Sequence, residues 1–387
     1  MNLLFLSEVT PFPPNGGEKL RSYGLLKLMS ESDLTVHAIT GNSPVESSDI
    51  SAFRNIRFYK HEFCYDHEYY KAPSRFQWYM RLFRQDEKLV SLINNILGQN
   101  NIDVAFIDYN FYGQYISLFR KRKIPVIYGT HNAQAELLNQ TPVKTLRARR
   151  SKLIQYLTNK LHETWYFRKA NALLVVSEND KRYHQAFVRK EKIFVIPNFL
   201  IESAYAETSA KKENYILMTA NFSAFQNSCG LEWFIREIWD KELWDRTELL
   251  VVGTHSTEAF NNIKGRYNTT HIKAVGQVVD LKYYISRALV SIVPLLHGSG
   301  SRLKCLESMA LKTQLISTSK GAEGIDHNDS IIIADTPEEF KSAILKALNR
   351  EVDLTAKAYQ AFIGKYSLPP NKRIFSDIIH RLTGGGK

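Results

Sequence analysis

The chain alternates between short apolar runs and longer segments in which apolar residues return every three or four positions. Asn2–Ser7 is a short apolar run bounded by turn residues, the pattern of a buried strand. Glu18–Ser30 then sets Leu20, Tyr23, Leu25, Leu26 and Leu28 at a spacing that suits a helix. Leu34–Ile39 reads as a strand. After a less regular stretch rich in Tyr and Phe, a helix is predicted over Arg75–Leu97. Val104–Ile107, Pro125–Tyr128, Leu173–Val176 and Ile193–Ile196 are further strand-forming runs separated by helical segments. Such alternation implies βαβ units and a parallel sheet covered on both faces.

Pro197-Asn198 closes that series, and the polar, aperiodic stretch Ile201–Glu213 reads as a linker. The alternation then restarts. Tyr215–Thr219, Leu249–Val252, Ile272–Val275, Val290–Pro294, Gln314–Ser317 and Ile331–Ile333 read as strands. Helical patterns lie between them at Leu231–Trp239, Leu281–Ala288, Leu303–Leu311 and Pro337–Leu348. The prediction is an α/β chain of two Rossmann-like, doubly wound halves, each with its ligand edge at the C-terminal ends of its strands. The expected domains are residues 1–200 and 201–369, with an amphipathic helix over 370–383 packing back on the first. A length of 387 residues suits two to three domains.

Composition changes this picture little, because 44% hydrophobic and 23% charged residues are ordinary for a globular protein. Three widely spaced cysteines (Cys64, Cys229, Cys305) make no disulfide framework, so a reducing compartment is expected. The start, MNLLFLSEVTPFPP, lacks the basic region of a signal peptide, and no stretch approaches the ~20 apolar residues of a membrane span. A cytoplasmic protein is expected.

Charge changes the picture more. Lys and Arg number 51 against 39 Asp and Glu, a net of +12. Residues 120–169 carry twelve basic side chains and two acidic ones, Glu136 and Glu163, and so hold ten of those net charges. One reading is a solvated helix face. The other is a patch for anionic phospholipid or a polyanionic substrate. Within 144–169, Leu146, Leu153, Ile154, Leu157, Leu161 and Trp165 recur at helical spacing, with Arg147, Arg149, Arg150, Lys152 and Lys160 largely between them. That is a basic amphipathic helix of the interfacial type, which would hold the protein peripherally on the inner membrane face. No zinc-finger spacing or RNP-like aromatic motif supports nucleic acid as a partner.

The sharpest chemical signal is PLLHGSGSRLKCLESMA, Pro294–Ala310. A strand ends at Pro294, and His297-Gly298-Ser299-Gly300-Ser301 leads straight into a helix. Small residues there let the backbone approach a ligand, and the helix dipole favours an anion. Arg302 and Lys304 oppose that dipole, which a bound diphosphate would offset. A plain tight connection is the alternative. Thr10–Arg21 is a second such junction, where Gly16-Gly17 opens a helix carrying Arg21; helix capping is its plainer reading. His131-Asn132 follows a strand at the ligand edge. His61, Glu62, Cys64, Asp66, His67 and Glu68 imitate metal-ligand spacing, but no second Cys/His pair closes the set.

Together these segments resemble the retaining glycosyltransferases of family 4, which have the GT-B fold. The resemblance rests on Pro11–Arg21, on Ala172–Asn198 with its "S…D" helix and closing "PN", on Asn221–Trp239 with Leu249–Gly253, and on Val275–Leu281 and His297–Gly324. It implies two domains facing across a cleft, a nucleotide-sugar donor on the C-terminal half and a glycan or lipid-linked acceptor on the N-terminal half. Glu307 matches the second Glu of the family's E-x7-E motif, which holds the donor ribose; the first falls on Ser299. The resemblance implies donor contacts from Gly276, Val278, Gly298, Ser299, Gly300 and Ser301, and an acceptor or phosphate loop at Gly16, Gly17 and Arg21. His131 matches a His near the anomeric centre, and Arg302 and Lys304 would neutralise the diphosphate. No Asp-x-Asp motif is present, so catalysis without metal or other cofactor is expected. Bacterial surface-polysaccharide or glycoconjugate assembly is the expected setting. The competing reading is a non-catalytic nucleotide-sugar-binding protein on the same scaffold, favoured only by Ser299.

Overall fold

The computed structural model describes residues 1–14, 16–41, 53–63, 82–140, 145–205, 210–297 and 303–384. Seven strands form the first sheet: β1 (Asn2–Ser7), β2 (Thr35–Thr40), β3 (Ile56–Lys60), β4 (Val104–Asp108), β5 (Val126–Gly129), β6 (Ala172–Val175) and β7 (Ile193–Val195). They are parallel and ordered β3-β2-β1-β4-β5-β6-β7. Six make the second: β8 (Glu213–Thr219), β9 (Glu248–Val252), β10 (Ile272–Gly276), β11 (Ala288–Val293), β12 (Gln314–Ser317) and β13 (Ile332–Ile333). They too are parallel, ordered β10-β9-β8-β11-β12-β13.

Helices cover both faces of each sheet, which is why the central strands are apolar without alternation. Leu3, Leu4, Phe5 and Leu6 of β1 are fully buried, as are Val104 to Ile107 of β4. In each sheet the winding reverses once, between β1 and β4 and between β8 and β11. Ligands of open α/β sheets gather outside the strand C-termini at such a point.

Several elements depart from the sequence expectation. The helices Ser256–Ile263 and Thr355–Ala361 were not predicted, and the helix expected over Leu231–Trp239 runs Phe225–Glu237. Two further cases have a plain physical reason. Ile56–Lys60 is a strand whose charged, half-exposed residues suit a sheet edge rather than a core. The helix expected over Arg75–Leu97 runs Glu87–Gln99, and the described residues 82–86 before it are not helical. Asp86 sets its start by accepting from the backbone N–H of Lys88 at 2.8 Å and of Leu89 at 3.4 Å. Residues 75–81 lie outside the described set.

The chain divides into two units, Met1–Asn198 with Leu368–Lys387, and Phe199–Ser367. The final helix, Leu368–Thr383, belongs to the first unit. Its Phe375 ring lies 6.2 Å from that of Phe106 on β4, and Arg381 lies over Phe194 of β7.

Candidate active site

In the first unit the switch point is built around Asp108, the last residue of β4 and completely buried. Its Oδ1 bonds His131 Nε2 at 2.9 Å, and its Oδ2 accepts from Ser22 Oγ at 2.7 Å and Ser7 Oγ at 3.2 Å. Burial alone would push this carboxyl up. His131, Arg21 and Ser22 outweigh it and hold Asp108 below the ordinary carboxylate range. A carboxylate at Nε2 keeps the proton of a neutral imidazole on that nitrogen and leaves Nδ1 as acceptor.

The next residue, Tyr109, has φ of 109°, which costs backbone strain of about 1–3 kcal/mol. The turn lays the Tyr109 ring edge-on to His131, with centroids 5.0 Å apart, and its hydroxyl donates to Glu18 at 3.3 Å. The loop carrying His131 is held from three sides. Asn110 Oδ1 accepts the His131 N–H, Asp180 Oδ1 accepts the Ala133 N–H, and Glu163 Oε1 accepts the Ala135 N–H, each at 3.1 Å. The Ser177-to-Asp180 pattern thereby gains a role: Ser177 caps its helix and donates to Asp180, which holds the His131 loop.

Gly16 caps the helix Gly17–Ser30 in extended conformation, with no side-chain cap to the first N–H groups among the described residues. Arg21 lies inward, 2% exposed, donating to the Ile196 carbonyl at 3.2 Å and Asn198 Oδ1 at 3.0 Å. Its Nε and Nη2 are buried without a partner among the described residues. Burial holds the guanidinium below its ordinary value against the pull of Asp108 and Asp180. Gly16 and Gly17 thus open the helix that carries Arg21, while Asp108 bonds His131 and attracts the Arg21 guanidinium.

In the second unit Lys304 and Glu307 share the helix Leu303–Ala310, which follows β11. Lys304 Nζ donates to Asn227 Oδ1 at 3.0 Å, tying this helix to Phe225–Glu237, the helix after β8. The bond therefore spans the second switch point. Glu307, half-buried, accepts from the Tyr205 hydroxyl at 3.5 Å. Burial pushes its carboxyl up to about 7 despite Tyr205, Lys304 and Lys282. Lys282 lies over the Tyr205 ring and donates to the Ala204 carbonyl at 2.8 Å.

Gly276 ends β10 with φ of 87°, a conformation that suits glycine, and donates to Ser256 Oγ at 3.0 Å. Val278 is half-buried beyond it, while Val279 is fully exposed. Because β9 and β8 separate β10 from β11, Gly276 and Val278 stand along the edge from Lys304 rather than beside it. Gly298, Ser299, Gly300, Ser301 and Arg302 lie outside the described residues. So do residues 64–68 of the metal-like cluster, while His61 bonds Asp86 at 3.2 Å. Among the described residues no three His, Cys, Asp or Glu are placed to hold a metal ion.

The sequence reading missed Asp108, Tyr205, Asn227 and Lys282. For Asp108 a signal existed, an aspartate ending an apolar central strand, since a buried carboxylate needs partners.

The basic segment forms the helix Leu146–Tyr166, and it is inverted. Asn159, His162 and Glu163 are buried, whereas Leu146, Leu153, Ile154, Leu157, Leu161 and Trp165 are exposed. A helix serving only the fold turns its apolar stripe to the core. No helix of the described residues is long and apolar enough to cross a membrane.

Two doubly wound parallel sheets, each with polar groups gathered at its switch point, define a GT-B protein. Solved structures agree on the fold. A glycosyltransferase from Rickettsia africae ESF-5 superposes with a TM-score of 0.68 at 14% identity, covering 98% of each chain. WaaG, a glycosyltransferase involved in lipopolysaccharide biosynthesis, gives 0.64 at 14% over 99% of this chain and 100% of its own. Anabaena Alr3699/HepE, in complex with UDP, gives 0.63 at 11% over 97% and 99%. No curated protein matches the sequence. Residues 22–201 match the family model described as Glycosyltransferase Family 4, and 213–350 that described as Glycosyl transferases group 1. The chain belongs to these group 1, family 4-type glycosyltransferases.

Proposed function

We propose that this glycosyltransferase moves a sugar from a nucleotide-sugar to a glycan or lipid-linked acceptor with retention of configuration and without a metal ion. The observation that carries the reading is the cluster at the second switch point, where Asn227 fixes Lys304 one turn before Glu307. Bond breaking puts negative charge on the departing diphosphate, and a fixed ammonium beside a helix start stabilises it more in the transition state than before. Glu307, held by Tyr205, suits ribose hydroxyls. The UDP complex of the Anabaena protein supports a nucleoside diphosphate as the leaving group. In the first unit, Gly16, Gly17 and His131 serve the acceptor side, with Asp108 positioning His131. Arg302 joins Lys304 as a cation for the diphosphate.

The outward stripe of Leu146–Tyr166 and its basic flanks support a peripheral seat on an anionic membrane surface, as assembly of a bacterial surface glycan from lipid-linked acceptors would require.

Nucleotide release is followed with UDP- and GDP-sugars, with and without EDTA, and the product anomer is read by NMR. Retention, turnover unaffected by EDTA, and a kcat lowered ~10²–10³-fold in Lys304→Ala are expected. Glu307→Gln should weaken nucleotide binding more than it lowers kcat. Binding of nucleotide-sugars with no turnover on any acceptor would favour a binding protein instead. The His131–Asp108 pair favours one second reading, activation of the acceptor hydroxyl by His131, and an inverted product would select it.

A further inference from the structure

Beside the inverted helix lies a cavity of about 370 Å³ lined by Ile116, Ser117, Arg120, Lys121, Tyr166 and Lys169. Three of those six side chains are cations, and among the described residues none of them forms an ion pair. Burial, and then the charges of Arg168 and Arg120, holds the Lys169 ammonium below the ordinary lysine value. These are cations crowded together without an ion-pairing anion among the described residues.

Two features make the cavity more than a charged surface. Tyr166 is fixed against the Gly113 backbone, where any Cβ would collide with the tyrosine. Lys169 is held 4.3 Å from the Trp165 ring centroid and 5.2 Å from that of Tyr166. Trp165, 47% exposed, is also the last member of the stripe Leu153, Ile154, Leu157 and Leu161. One residue therefore joins the basic cavity to the apolar stripe. A free anion needs no such stripe. A phospholipid presents a phosphate with acyl chains beside it, and Trp favours that boundary.

We propose that this cavity takes the phosphate of an anionic phospholipid headgroup while the stripe rests among the outermost acyl carbons. The proposal rests on the membrane seat proposed above and names its lipid partner. The Arg120 fork suits two phosphate oxygens, with Lys121 and Lys169 supplying point charges at the rim.

The test is flotation of the full chain with phosphatidylcholine vesicles, with and without phosphatidylglycerol, at matched ionic strength. Two variants conserve charge: Ser117→Gln crowds the cavity from its exposed wall without adding an interfacial aromatic, and Arg120→Lys removes the fork. Each should lower partition onto the phosphatidylglycerol vesicles about ten-fold or more, the usual worth of a charge-assisted hydrogen bond. Wild-type partition in either folded variant would overturn the proposal, because spread-out charge alone would then explain attachment. Inorganic phosphate that releases bound protein at constant ionic strength would mark a free-phosphate site and overturn the lipid assignment. Nucleotide-sugar turnover in detergent is measured on the same preparations. Its absence in wild-type protein would count against glycosyl transfer while leaving the vesicle result to stand or fall alone.

Discussion

At the scale of single residues, two buried carboxylates behave in opposite ways. Asp108 is held below the ordinary value of 3.8 by His131, Arg21 and Ser22 despite its burial. A depressed carboxyl adds stability that is present above the unfolded value and is lost as pH falls through the folded one. Asp108→Asn keeps the shape but removes the charge that orients His131. Turnover should fall by ~10²-fold or more, with little change in the donor KM. A folded Asp108→Asn protein with wild-type kcat would show the pair to be structural. Glu163 is the reverse case. Burial, only partly offset by Ala135, Tyr183 and Lys160, pushes its carboxyl from 4.5 up to about 7. Its stabilising contribution is complete below the unfolded value and disappears as pH rises through 7, a change on the order of 3 kcal/mol. Glu163→Gln cannot ionise, so its Tm relative to wild type should climb between pH 5 and 8 (about the span of the shift). Buried His162 and His184, both lowered to about 3, are common to both proteins and cancel. Parallel Tm profiles would mean that Glu163 is ionised at neutral pH.

At the scale of elements, the inversion of Leu146–Tyr166 separates folding from attachment. Leu157 and Leu161 are 55% and 57% exposed, so Leu157→Ser with Leu161→Ser should change unfolding free energy by no more than about 0.5 kcal/mol per site. Ile93→Ala, at a completely buried position, should cost about 2–5 kcal/mol. Urea unfolding of the three proteins decides this; a large loss in the serine variant would place the stripe in a core. The same contrast explains what was legible in the sequence. β1 and β4 read clearly because both faces are covered and nothing polar interrupts them. β3 did not, since an edge strand keeps Arg57 and Lys60. The start of Glu87–Gln99 was misread because apolar residues continue upstream of Asp86, and only the cap marks the boundary. At the candidate sites, Lys304 and His131 stood out from their place after strands, and Glu307 only through the family resemblance. Asn227 was not, because its bond to Lys304 joins residues 77 apart in sequence. Asp108 escaped because apolar periodicity stops at the last apolar residue.

At the scale of the whole molecule, the two units are not two consecutive pieces of chain. Leu368–Thr383 returns to the unit formed by Met1–Asn198, and it does so with buried apolar weight. Phe375 and Ile378 are 0% and 1% exposed, and Ile379 is 8% exposed. Phe375 meets Phe106 of β4, the strand that ends in Asp108. At about 1.5–3 kcal/mol per buried side chain, these three contribute roughly 5–9 kcal/mol, as much as a whole domain's typical stability. A chain ending at Ser367 should therefore lose its first unit selectively. Calorimetry should show one transition moved down sharply or absent, while the unit Phe199–Ser367 unfolds as before and still binds nucleotide. Phe375→Ala is the milder companion, expected to cost about 3–5 kcal/mol and to lower the same transition only. If both transitions stayed in place in the shortened chain, the final helix would be an accessory, and the stability of the first unit would rest on Met1–Asn198 alone.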